Sequence, residues 1–156
     1  MPITIDVVGA DKLAAGLQKA ATRTLPAETK TAMNASLLLV EADARRNVKR
    51  DTGRLQNSIN GRITGSGGNL RGEVGPSVRY GLYVERGRRP GRPPPAAALA
   101  GWARRHGVSP YVVARAIGRR GVRAAPFLIP AYEKNRARII DLFERIGLRV
   151  VETARG

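Results

Sequence analysis

Apolar positions along the chain change their period several times, and each change marks an expected element. Ile3, Ile5 and Val7 alternate with Thr4 and Asp6, the period of a half-buried strand, and Gly9 ends it. Asp11 then stands where it can cap a helix carrying Leu13 and Leu17 on one face, and Pro26 interrupts that pattern. Met33, Leu37, Val40 and Ala44 fall at helical spacing in a second, longer helix. It closes in Arg45, Arg46, Lys49 and Arg50, cations that suit the negative end of the helix macrodipole.

The middle of the chain returns to strand patterning. DTGRLQNSI, Asp51 to Ile59, reads as a turn feeding a strand with Ile59 and Ile63 on one face. Gly65 to Asn69 forms a hairpin loop, Leu70 and Val74 supply the matching face of the returning strand, and Gly75 and Pro76 stop it. Such a hairpin needs a helix laid across it to be stable. Tyr80 to Glu85 is short and leads into RGRRPGRPPP, Arg86 to Pro95, whose prolines and lack of apolar residues predict an extended arm.

Helical composition then resumes. Ala96 to His106 places Leu99 and Trp102 three residues apart, with Gly107 as its stop. Ser109 and Pro110 start a short helix through Ile117, and Gly118 to Val122 reads as basic loop. APFLIPAYEKN, Ala125 to Asn135, opens a last helix with Pro130 at its start and Tyr132, Ile139, Leu142, Phe143 and Ile146 as its stripe. Gly147 is expected to break it, and Leu148 to Val151 to add an edge strand. The sum is one α+β domain over 1–156. A small twisted antiparallel sheet, made of the N-terminal strand, the central hairpin and the C-terminal edge strand, packs against long helices. Residues 86–123 form a protruding basic arm and a helical insertion.

Charge changes the picture most at that arm. The chain holds 28 Lys and Arg against 12 Asp and Glu, a formal charge of +16, and no acid lies between Arg86 and Tyr132. A field of that sign favours anionic partners, and the arm's candidate partners are a nucleic acid, an acidic protein surface or a neighbouring copy of the same chain. The same arginine bias, with many Ala and Gly, also follows from GC-rich coding. With no cysteine there is no disulfide framework, thiol nucleophile or cysteine metal site. The N-terminus lacks the pattern of a signal peptide, and no apolar run nears the roughly 18 to 20 residues that span a bilayer, so a soluble chain without membrane contact is expected.

Candidate chemistry is sparse. Asp51, Thr52 and Gly53 form the triplet of aspartic proteases, which need two carboxylates sharing a proton. Here one copy sits among Lys49, Arg50 and Arg54, so a helix-ending turn with positive φ at Gly53 and backbone bonds to Asp51 is the better reading. GSGGNLRG, Gly65 to Gly72, lacks the spacing of a nucleotide loop and joins strand to strand. His106 is the single histidine, which excludes a histidine metal cluster and a serine triad within one chain and leaves a role at a helix end. Glu85, the last acid before the basic block, could act as a buried general base, but pairing with a neighbouring arginine is the commoner arrangement. Trp102 and the tyrosines could stack on bases, yet they are not interleaved regularly with arginine, which favours packing. No cofactor and no metal is expected.

Four patterns in order, Gly9 to Leu13, TGRLQNSI at Thr52 to Ile59, YGLYVERG at Tyr80 to Gly87 and APFLIPA at Ala125 to Ala131, resemble the neck or tail-completion proteins of long-tailed phages. That family usually follows its tyrosine motif with a Gly-Thr turn, whereas Arg88 follows Gly87 here, and Gly81 stands for an alanine. The resemblance implies a non-enzymatic virion protein assembled in the host cytoplasm: a ring of six or twelve copies at the head-tail junction. Its implied partners are head-closure or connector proteins, tail-terminator or tail-tube proteins, and packaged double-stranded DNA. On this reading Tyr80, Tyr83, Glu85, Arg86, Arg88, Arg89, Arg92, Trp102 and Phe127 form the subunit interface, and Arg88, Arg89, Arg92, Arg119 and Arg120 reach DNA. The rival reading is a basic nucleic-acid-binding module acting outside a virion. An acid protease is the least favoured of the three.

Overall fold

The computed structural model describes residues 10–65 and 69–155. The strand expected at Ile3 to Val7 lies outside the described residues. The chain is α+β: helices α1 (Ala10–Lys19) and α2 (Leu25–Asn47), a short α3 (Arg54–Ser58), strands β1 (Ile59–Thr64) and β2 (Arg71–Pro76), then α4 (Gly81–Arg86), α5 (Ala96–Arg105), α6 (Pro110–Arg120) and α7 (Leu128–Arg155). It divides into two compact units, one of Met1–Asp43, Gly61–Val74 and Ala131–Gly156, the other of Ala44–Asn60 and Gly75–Pro130.

Pro26 does not end the first helix. Its ring crowds the carbonyl four residues back, Thr22, and it has no N–H to offer it. The backbone widens there into a π-helical stretch, Ala20–Thr24, in which the Leu25 N–H reaches Ala20 O, and the helical path continues into α2.

In the first unit, the hairpin meets α2 through glycines. A Cβ on Gly61 would lie 3.0 Å from Leu37 Cβ, and one on Gly72 would lie 2.5 Å from Met33 Sδ. A side chain at Gly61 would press on Leu37 close to the helix backbone, whereas one at Gly72 would need the flexible end of Met33 to shift. The Gly61 N–H donates to Glu41 Oε2 at 2.9 Å. On the hairpin's other face, Arg62 pairs with Glu73 at 2.6 Å, and this guanidinium lowers the Glu73 carboxyl below its ordinary value. Helices α2 and α7 are tied twice, by Arg149 to Glu28 and by Lys134 and Asn135 to Asp43. The two ties run in opposite order along the helices, which sets them antiparallel. Asp43 is buried, so its bonds to Lys134 and Asn135 offset the cost of removing a carboxylate from water.

Helix α7 also runs straight through Gly147 to Arg155, so the expected edge strand at Leu148 to Val151 is helical instead. A single mid-helix glycine costs only about 1 kcal/mol, and the Glu28–Arg149 pair holds the turn beyond it. The sheet among the described residues has two strands.

The core of the second unit holds Ala44, Val48, Leu55, Ile59, Ala103, Ala114 and Phe127, of which Phe127 and Ile59 are its largest fully buried side chains. Three local expectations shift here. The turn before β1 contains α3, Tyr80 to Glu85 is largely helical in α4, and α6 continues to Arg120 instead of ending at Ile117. Pro110 does occupy the first turn of α6, but the Ser109 hydroxyl makes no capping bond. Gly53, at φ 78°, supplies the left-handed turn expected of it.

Candidate functional site

The second unit carries an open groove of about 1980 Å³. Its walls are easiest to follow from the chain outward. The turn after α2 contributes Lys49 and Arg50 and the start of α3 Arg54; the segment around α4 contributes Arg79, Tyr80 and Tyr83; the arm contributes Arg88, Arg92 and Pro93 to Pro95. Helix α5 adds Leu99, Trp102 and Arg105, and Ile117, Arg123 and Ala124 close the lining. Asp51 is the one acid among them, and it is already engaged: the Arg105 guanidinium donates to both of its oxygens, at 3.2 and 2.5 Å. That bond holds the Asp51 carboxyl below its ordinary value and raises Arg105. The groove is therefore strongly cationic.

Its aromatic residues are partly exposed, Tyr80 at 43%, Tyr83 at 49% and Trp102 at 41%. One face of Tyr83 is covered by the Arg88 guanidinium, 5.7 Å from the ring centroid. Trp102 stacks on His106 with centroids 4.0 Å apart and planes 17° from parallel. His106 also ends α5, its backbone N–H reaching Trp102 O and Ala103 O, which is the helix-end role its isolation suggested.

The arm is solvent-exposed from Arg89 to Pro93 and bends at Pro90 and Arg92, but it does not stand free of its unit. Arg88 and Val122 exchange backbone bonds at 2.9 and 2.8 Å, and the Gly91 N–H donates to Gly118 O at 2.8 Å. Two left-handed glycines permit this contact. A Cβ on Gly87, at φ 73°, would sit 2.7 Å from Val122 O, and one on Gly121 would strike Arg88 O.

Glu85 performs neither expected role. It is buried, and its carboxylate accepts three backbone N–H groups, Phe127 at 2.7 Å and Leu128 and Ile129 at 2.9 Å. Those are the donors at the start of α7, which has Pro130 in its first turn and Phe127, with no polar side chain, just before it. Glu85 is thus a helix cap supplied from a distant point in the sequence, and its charge suits the positive end of α7. The Asn47 side chain donates to Phe127 O at 3.1 Å and fixes the same corner. A helix opening on Phe-Leu-Ile-Pro without a capping residue was the one sequence signal that a partner must come from elsewhere.

Of the residues singled out from sequence, the groove gathers Tyr80, Tyr83, Arg88, Arg92 and Trp102. Arg86 and Arg89 are exposed outside it, as are Arg119 and Arg120 at the end of α6, while Glu85 and Phe127 are buried. Lys49, Arg50, Arg54, Arg79 and Arg105 were not singled out, because only the fold brings the end of α2 beside α5. The protease triplet is no catalytic pair: Asp51 bonds to Arg105, not to the backbone amides expected of a turn. Among the described residues no group of His, Asp and Glu could hold a metal ion, and no helix is long and apolar enough to cross a membrane.

Two of the four motifs, TGRLQNSI and YGLYVERG, border this groove or its supports, and both fall in a stretch that matches a family model. The model is described as "Bacteriophage HK97-gp10, putative tail-component" and matches residues 11–87. Over that span the chain is similar to the HK97-gp10-like family. No curated protein and no solved structure matches the chain. The matched span ends at Gly87, so the arm after that residue, α5, α6 and α7 lie beyond it. Glu85, inside the span, caps α7, outside it; the family segment and the C-terminal extension therefore share a buried polar joint.

Proposed function

We propose that this chain is a structural subunit of a tailed-phage virion, acting at the head-tail junction as a homo-oligomeric ring that joins the DNA-filled head to the tail. The observation that carries the reading is the HK97-gp10-like match over residues 11–87, a phage tail-component family. The ordered motifs that resemble neck and tail-completion proteins support it further. Rings arise when one surface of a subunit docks on a different surface of the next, and six or twelve copies would suit a neck layer. The role is one of assembly, without catalysis.

Subunits of charge +16 repel one another, so the ring requires compensating charge from adjacent layers or from DNA in its channel. Head-closure or connector proteins on one side and tail-terminator or tail-tube proteins on the other are the partners of this reading. Of the arginines expected to reach DNA, Arg89, Arg119 and Arg120 are exposed outside the groove and are proposed to face it. The subunit would be made in the host cytoplasm and end in the particle.

Electron microscopy and mass spectrometry of purified particles test the proposal. A ring of this chain at the junction is the expected result, with separate heads and tails accumulating when the gene is deleted. Intact, infectious particles from the deletion strain would overturn it.

A further inference from the structure

We infer that the groove of the second unit is a docking site for an extended, acidic segment of another protein, one that alternates carboxylates with apolar side chains. The inference deepens the proposed assembly role by naming the chemistry of the partner. Three observations carry it.

The first is charge. Eight basic side chains line the groove against Asp51 alone, and Asp51 is bonded to Arg105, so the remaining cations have no acidic counterpart in the lining. An occupant must bring several negative charges to be accepted there. The second is size and polarity. At about 1980 Å³ the groove exceeds the roughly 300 to 1,000 Å³ typical of small-molecule sites. Between its cations lie Pro93 to Pro95, Leu99, Ile117 and Val84, which a phosphate backbone could not use but alternate apolar side chains could cover. The third concerns the aromatic residues. Single-stranded nucleic acid binds by stacking bases on free aromatic faces. Here one face of Tyr83 is covered by Arg88 and one face of Trp102 by His106, which reduces the ring surface those two residues offer to bases.

A second copy of this chain does not supply the segment. Its acids are few, and the closest pairs, Glu41 with Asp43 and Asp141 with Glu144, lie on helices. The partner is a different protein.

Trp102 is the single tryptophan and lines the groove, so its emission reports occupancy directly. The test titrates the purified full chain with a short synthetic peptide alternating Glu and Leu. Parallel titrations use the same peptide with Gln for Glu, a polyglutamate of equal charge, and an oligothymidylate of equal charge. Expected is a blue shift saturating with the Glu-Leu peptide, weakened about tenfold or more at about 0.5 M salt, where screening lengths shrink to a few ångströms. Arg79→Glu and Arg92→Glu should each weaken it by about tenfold. Arg120→Glu, equal in charge change but outside the groove, should leave it within about twofold. Circular dichroism confirms that each variant is folded, and if either groove variant is not, Arg→Gln at the same position replaces it.

An equal response to polyglutamate or to the Gln peptide would overturn the inference, as would tighter binding of the oligonucleotide. A Trp102 shift that depends on protein concentration without peptide would assign the groove to a second copy and overturn it too. The measurement uses the isolated subunit, so it can fail while the ring at the head-tail junction stands, and the particle experiment can fail while the groove binds.

Discussion

Replacing Glu85 by Gln perturbs the corner where α4 meets the start of α7 with almost no change in volume. The wild-type carboxylate accepts two N–H groups on Oε2, from Phe127 and Leu128, and one on Oε1, from Ile129. An amide has one oxygen, so at least one backbone donor loses its acceptor, and the new NH2 faces an N–H. Hydrogen bonds to a charged group contribute about 1.5 to 3 kcal/mol each, and an anion at a helix N-terminus about 0.3 to 1 kcal/mol more. Relief from keeping a buried carboxylate ionised offsets part of that loss. The net cost is about 2 to 4 kcal/mol, confined to the first turn of α7 and its junction with α4. At 1.4 kcal/mol per factor of ten, the amides of Phe127, Leu128 and Ile129 should exchange with solvent about 30- to 1,000-fold faster. Hydrogen exchange followed by NMR reads those amides individually. Glu133→Gln, an exposed acid near the start of the same helix, serves as the control and should change them by less than about threefold. Because Glu85 is buried, about 0.5 M salt should not mimic the substitution. Equal exchange rates in Glu85→Gln and wild type would refute the cap, and a strong salt effect would return Glu85 to pairing with exposed arginines.

Three other outcomes are expected. Gly87→Ala should lose about 2 to 3 kcal/mol in denaturant unfolding, since it combines a left-handed φ with a clash against the backbone at Val122 and Ala124, whereas Gly72→Ala should lose about 1 kcal/mol or less because the flexible Met33 side chain can yield; similar losses at both positions would refute the distinction. Gly147→Ala, which meets only open space inside a continuous helix, should gain about 0.5 to 1 kcal/mol, and a loss in the same measurement would revive a break at that glycine. The Asp51 carboxyl should titrate below its ordinary 3.8 in an NMR pH series and move back toward it in Arg105→Gln. Since the folded value is the lower one, the pair's contribution is present above pH 3.8 and is lost as pH falls through the folded value; an unshifted wild-type titration would refute the pairing.

Local chemistry alone determined much of this protein. The helical spacing of Met33, Leu37, Val40 and Ala44, the hairpin between Ile59 and Val74, the left-handed turn at Gly53 and the exposure of the basic arm all follow from patterns a few residues long. Each was legible because its cause lies within one or two turns of chain. Where local signals conflicted with tertiary context, context decided. Pro26 and Gly147 read as breaks, yet a π-helical turn accommodates one and the Glu28–Arg149 pair holds the helix across the other. Glu85 could not be assigned from its arginine neighbours, because the amides it serves lie some forty residues away in sequence. The groove was hidden for the same reason. Tyr80, Arg88, Arg92 and Trp102 stood out by composition, but Lys49, Arg50 and Arg54 acquire meaning only when the turn after α2 reaches α5 through Asp51 and Arg105. Sequence specifies which residues are charged, stiff or apolar; folding decides which of those charges converge, since convergence depends on contacts between residues distant along the chain.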